Sequence, residues 1–213
     1  LKKHADYKSK NKEKIKISNQ IWYKKNIEEI NKKNVSKNRY FKEESIKLLG
    51  GKCALCGLEN VRFLTIDHID GSGAVERKSG ISGQKLQRLI VNGKYPWNKV
   101  KNLRVLCYNC NCSISRKHFF LSYEEQTSDQ RYRTKIWKEA YEFFGPCHCG
   151  QNELKFLSIS HIHNDGAEKR RNGEPKSSAL LSRFRKLGWP ESLKEDYCLE
   201  CFNCNCSRGN RDE

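Results

Sequence analysis

One pattern of cysteines, a histidine and an asparagine occurs twice in this chain, and it limits the possible folds more than anything else. FKEESIKLLGGKCALCG at 41–57 is answered by WKEAYEFFGPCHCG at 137–150, and RFLTIDHID at 62–70 by KFLSISHIH at 155–163. LCYNCNCS at 106–113 returns as ECFNCNCS at 200–207, and GKYPWNKVKNLRV at 93–105 as KLGWPESLKEDYCL at 186–199. The second cysteine precedes the histidine by 12 residues in both copies (56 to 68; 149 to 161). Agreement in order, spacing and chemistry marks an internal duplication. The expected organisation is an arm at 1–40, module 1 at 41–117, a connector at 118–136 and module 2 at 137–213.

Composition agrees with two small units rather than one large one. Of 213 residues only 36% are hydrophobic and 31% are charged, too little apolar material for one large core. Eleven cysteines, an odd number, argue against a disulfide framework. CxxC turns without a secretory leader predict zinc in a reducing, intracellular compartment, not a secreted protein. Cys53, Cys56, Cys107 and Cys110 are the expected ligands of the first ion, and Cys147, Cys149, Cys201 and Cys204 those of the second. The CxC at 147–149 is a tighter bite, with His148 and Cys198 near enough to substitute. Cys112 and Cys206 are expected to be packed thiols. The chain starts at Leu1 and has no methionine, as expected of a processed or trimmed product.

Each module reads as helix, cysteine turn, strand ending at the histidine, polar loop, short helix, strand and terminal helix, an α+β class. Trp97 and Trp189, each beside a proline, are expected to pack in turns. The arm carries Tyr7, Tyr23 and Tyr40 at about 16-residue spacing in a Lys/Asn/Glu/Ile background. It predicts a long, weakly amphipathic helix or helix pair, or else a disordered basic tail. No segment is apolar enough to span a membrane. A net charge of +17 points to a polyanion as partner. Arg77 and Lys78, with Lys169, Arg170 and Arg171, follow the histidines at similar distances and are expected to contact phosphates.

The Asp67–His68 pair lies between the cysteine halves, and Asn111 directly follows a ligand cysteine. Phosphodiester hydrolysis needs a base, a cation on the phosphate and help for the leaving oxygen. Asp67 and Asn111 supply hard oxygens suited to Mg²⁺, leaving His68 as the base. Because neighbours on a strand face opposite ways, Asp67 and His68 can share a site only where the strand ends and bends.

CxxC, a DH pair and then LCxxCN resemble the HNH (His-Me finger) endonucleases, in particular the branch of phage endonuclease VII and the HNH proteins of mobile introns. The resemblance covers both repeats and stops at the arm. It implies two zinc-stapled ββα-metal modules in tandem, with His68 as general base and Asp67 and Asn111 as ligands of one catalytic divalent ion. Asn102 matches the family's middle asparagine, which braces the loop carrying the base. Asn111 stands where histidine is commoner, as is usual in this branch. The second copy keeps His161 and Asn205, but has Ser160 for the aspartate and Asp196 for the middle asparagine. It is therefore expected not to cut, unless His163 or Asp165 compensates. The implied protein is a DNA endonuclease, with DNA favoured over RNA, forming a pseudo-dimer within one chain. A nuclease-derived binding or structural component of a nucleoprotein complex is the rival.

Overall fold

The computed structural model describes residues 11–208. Tyr7 of the arm lies outside them. A single helix, α1 (Lys12–Leu48), opens the described chain. Neither glycine nor proline interrupts residues 12–48, and Gly50 and Gly51, with φ of 105° and 73°, end the helix in a conformation other residues resist. Over most of its length α1 is exposed, including Ile21, Trp22 and Tyr23. Its last turns alone enter a core, through Ser45 and Ile46. No break falls at residue 40, so the arm and the first helix of module 1 are one element. Helix propensity carries the arm, whereas tertiary burial holds its end.

Module 1 places β1 (Leu64–His68) antiparallel to β2 (Leu103–Cys107), with Leu64 opposite Cys107 and His68 opposite Leu103. Between the strands run α2 (Gly73–Lys78), α3 (Gly83–Val91) and α4 (Trp97–Val100), and α5 (Tyr108–Ser113) follows β2. Leu86 and Ile90 on α3 pack with Tyr95 and Leu103, while Ile46, Leu64, Val105 and Leu106 pack beside the cysteines. Helix α1 lies against α3, where Arg88 donates to Asn38 Oδ1 at 2.9 Å and stacks over Phe41.

Module 2 repeats the plan. β3 (Leu157–His161) pairs antiparallel with β4 (Tyr197–Cys201), Leu157 facing Cys201 and His161 facing Tyr197. Its helices are α6 (Ser128–Phe144), α7 (Gly166–Arg171), α8 (Ser177–Lys186), α9 (Leu193–Asp196) and α10 (Phe202–Cys206). The start of α6 is a capping box in which Thr127 and Gln130 exchange side-chain and backbone bonds. Half of the expected connector is therefore module 2 helix, and Ile136 within it is fully buried. Ile136, Trp137, Leu157, Leu181, Phe184 and Leu199 form this module's core.

The modules meet through like parts. Asn109 N–H donates to Asn203 Oδ1 at 3.0 Å, and Asn203 N–H to Asn109 Oδ1 at 2.9 Å. This is the reciprocal exchange that a two-fold axis produces. Arg116 fills the seam between the rings of Trp137 (4.6 Å) and Phe202 (4.8 Å), donating to the carbonyls of Leu154 and Leu157. Burial lowers its pKa to about 10. Among the described residues, no helix is long and apolar enough to cross a membrane.

Candidate metal centres and histidine sites

The eight expected cysteines form two groups, Cys53/Cys56/Cys107/Cys110 and Cys147/Cys149/Cys201/Cys204, with ligand atoms within 4.8 Å of one another in each. Cys56 Sγ lies 3.8 Å from Cys107 Sγ, and Cys149 Sγ lies 3.7 Å from Cys201 Sγ. Four bonds of about 2.3 Å from a tetrahedral zinc put sulfurs about 3.8 Å apart, so both groups have the spacing to bind zinc. The CxC turn closes to 3.5 Å between Cys147 and Cys149 and still presents both sulfurs. His148 and Cys198 are thus not required, and His148 instead faces Glu200.

The strand-to-helix corner explains half of each group. Cys107 caps α5 and Cys201 caps α10, each sulfur accepting from the N–H three residues on at 3.4 Å. Cys112 and Cys206 stay outside both groups and meet each other across the seam, where that hydrogen bond lowers the Cys206 pKa to about 7 against the opposing effect of burial.

Each histidine ends its strand and turns onto a glutamate, buried in module 1 and partly buried in module 2. His68 Nε2 lies 3.0 Å from Glu76 Oε2, whose other oxygen accepts from Tyr95 at 2.8 Å and Lys99 at 3.3 Å. Burial raises the Glu76 pKa, but the bonds from Tyr95, His68 and Lys99 outweigh it and hold the carboxyl below its ordinary range. In module 2, His161 Nε2 lies 2.7 Å from Glu174 Oε2, and Tyr197 donates to Glu174 Oε1 at 2.5 Å. Burial first, then Glu174, pushes the Tyr197 hydroxyl up to about 12. The sequence reading missed both glutamates and both tyrosines. Glu76 follows its histidine by 8 residues and Glu174 by 13, so no repeat signal marks them.

On its Nδ1 side each ring packs close to a glycine. A Cβ on Gly73 would lie 2.8 Å from His68 Nδ1, and one on Gly166 only 2.5 Å from His161 Nδ1. Space, not backbone angle, requires glycine here. Gly73→Ala is therefore expected to push His68 off Glu76, lowering stability by about 1–3 kcal/mol. A thermal melt beside that of Gly166→Ala measures it, and an unchanged melting temperature in both would contradict the packing.

The remaining site residues are partly brought together. Asp67 and Arg104 are cross-strand partners, with Nε 2.8 Å from Oδ2, while His68 leaves the strand on the opposite face. No hydrogen bond joins Asp67, His68 and Asn111 among the described residues. In module 2 the corresponding Ser160 Oγ and Asn205 Oδ1 are 3.5 Å apart, and Asn205 also donates to Ser158 at 3.0 Å. The carboxylate and its arginine change together, since Ser160 pairs in register with Cys198.

Asn102 braces the loop after His68 through its backbone carbonyl, which accepts from Ile69 N–H at 2.8 Å. Asp196 does the same for Ile162 at 2.9 Å. A carbonyl brace does not depend on the side chain, so the Asn-to-Asp change leaves it intact. His163 turns to the Glu195 carbonyl at 3.1 Å, and Asp165 pairs with Lys169 at 3.3 Å, so neither stands in for the missing carboxylate.

Arg77, Lys78, Arg170 and Arg171 are exposed on α2 and α7. Lys169 is turned inward: its ammonium pairs with Asp165 and Asp196 and lies 4.7 Å from the Tyr197 ring centroid. Burial lowers its pKa, but the bonds to Asp196 and Asp165 prevail and raise it. Trp189 packs among Phe143, Phe144 and Phe184, as a turn residue should. Trp97 does not; it is 85% exposed at the start of α4, because its place in the fold is not that of Trp189. Tyr95 occupies the equivalent position, counting back from Cys107 and Cys201.

No protein-family model, curated protein or solved structure matches a chain with these two centres. The reading of its function therefore rests on its own residues.

Proposed function

We propose that the chain is a metal-dependent DNA endonuclease of the HNH class, in which module 1 cuts and module 2 binds or braces the substrate. The observation that carries this reading is His68, held through Nε2 by an ionised buried glutamate at the end of the strand that also bears Asp67. With the Nε2 proton donated to Glu76, the Nδ1 lone pair is left to accept a proton from water.

Asp67 and Asn111 would hold the divalent ion, and their oxygens fit Mg²⁺ in kind. The 3.5 Å approach of Ser160 and Asn205 supports the closeness of these two positions in the shared plan. Arg104, now on Asp67 Oδ2, would have to share that carboxylate or swing toward the phosphate. When bound, such an ion neutralises charge on the phosphate and on the departing oxygen. Exposed Arg77 and Lys78 on the helix after His68 would orient the backbone of the nucleic acid. Ser160 offers only a neutral hydroxyl, so module 2 lacks the charge to hold the ion. The reciprocal Asn109–Asn203 bonds support a pseudo-dimer in one chain, and one cutting half implies nicking.

The Asp67–Arg104 pair favours a second reading, a nucleic-acid-binding protein that does not cut. Supercoiled plasmid incubated with zinc-loaded protein, with and without Mg²⁺, separates the two. Mg²⁺-dependent nicked circles are expected, and binding of DNA or RNA with no cleavage would establish the rival.

A further inference from the structure

The two histidines share a support that the duplication did not copy. Both modules place a largely enclosed carboxylate, with a side chain 8% exposed in Glu76 and 9% in Glu174, between the histidine Nε2 and a tyrosine hydroxyl. Yet the position matching Glu76 in module 2 is Lys169, counting from the paired glycines 73 and 166, and Glu174 instead comes from beyond α7. The tyrosines differ likewise. Tyr95 lies before α4, whereas Tyr197 opens β4 directly opposite His161, where module 1 has Leu103 opposite His68. The same three-part arrangement is therefore assembled twice from different chain positions.

A merely inherited packing contact would reappear at the same positions. Assembly from different ones implies that what is retained is the bond to the histidine. Its chemical effect is definite. An ionised carboxylate accepts but cannot donate, so it takes the Nε2 proton and selects the tautomer whose bare nitrogen is Nδ1. The tyrosine occupies the second oxygen, which fixes the plane of the carboxylate and so the direction of the ring. In both modules the Nδ1 edge then lies against the glycine that starts the next helix.

We propose that Glu76 is the positioning residue of His68, with Tyr95 setting the orientation of Glu76, and that Glu174 and Tyr197 hold His161 in the same way. For module 1 this rests on the nuclease reading above. The bond itself does not, and it can be tested without activity.

Long-range ¹⁵N–¹H spectra of histidine-labelled, zinc-loaded protein read the tautomers directly. His68 and His161 should each show a protonated Nε2 and a bare Nδ1; Glu76→Gln should change the His68 signals alone, and Glu174→Gln those of His161 alone. Single-turnover nicking supplies the second reading. Glu76→Gln should lower the rate about 10- to 100-fold, the usual range for such supporting groups, with the DNA concentration for half-saturation unchanged. Tyr95→Phe keeps the carboxylate and should cost less, which serves if Glu76→Gln fails to fold. An Nδ1-protonated His68 in the wild type would overturn the proposal. So would unchanged spectra and rate in Glu76→Gln. If the wild type shows the expected tautomers but never nicks DNA, the nuclease reading falls and the positioning stands.

Discussion

Replacing His68 with alanine should lower plasmid nicking by about 10²- to 10⁴-fold, the range a positioned general base contributes. At about 1.4 kcal/mol per tenfold, that corresponds to roughly 3–5 kcal/mol of barrier. In the proposed reaction the substitution removes the nitrogen that accepts the proton, while Asp67, Asn111 and the exposed Arg77 and Lys78 stay in place. DNA affinity should change little. His161→Ala is the matched control, because it deletes an equally buried ring supported by an equal glutamate, at 2.7 Å against 3.0 Å for His68. Each variant leaves its glutamate short of a partner, so both should lose a similar stability of about 1–3 kcal/mol. Thermal melts then isolate the chemical effect. Equal nicking by wild type and His68→Ala would end the assignment of module 1, and a large loss in His161→Ala would show that module 2 cuts.

Stripping metal with a strong zinc chelator should unfold both modules. The expected loss is large because the cores are small and each four-cysteine group is anchored in one through its buried members, with Cys56 and Cys149 at the surface. Cys53 and Cys107 of module 1 and Cys147 and Cys201 of module 2 are buried with the strand leucines. Four thiolates at this spacing repel strongly without a cation between them. Structural zinc contributes on the order of 10–16 kcal/mol, as much as or more than the roughly 5–15 kcal/mol by which a domain is stable. Metal analysis should find two zinc ions per chain, and chelation should abolish the near-UV circular dichroism of Trp137 and Trp189. Cys107→Ser should release one ion and unfold module 1, leaving the melt of module 2. A metal-free protein that keeps its native spectrum in chelator would refute zinc as the staple. Because a chelator also removes Mg²⁺, the nicking test omits Mg²⁺ rather than adding chelator.

Much of this architecture is readable as pattern. Both four-cysteine groups follow from spacing, since a CxxC or CxC turn can aim two sulfurs at one point and the duplication says which turns belong together. The strands ending at His68 and His161 follow from the repeat in the same way. The arm is ambiguous in sequence because its apolar residues are too sparse to distinguish a helix lying on the fold from a disordered tail. Contact between α1 and α3, through Arg88, Asn38 and Phe41, settles the end of it. The expected connector is too long, since the capping signal at Thr127 lies in a polar stretch without apolar periodicity.

What the sequence alone determined is the part governed by local geometry: two repeated units, the four cysteines that meet in each, the strands that end in histidine, and a serine at 160 where the first copy has Asp67. What only the tertiary structure decided is the partner of each side chain. Glu76 reaches His68 from 8 residues away and is itself held by Tyr95 from 19, and Glu174 reaches His161 from 13 and is held by Tyr197 from 23. Arg104 finds Asp67 through strand register, and Trp97 points outward while Trp189 packs against the core of module 2. A buried carboxylate is stable wherever the fold brings donors to it, so its place along the chain is free to vary. A metal-binding turn has no such freedom, because its paired ligands must come from near-adjacent residues. Hence the staples of this protein show in its sequence, and the supports of its histidines do not.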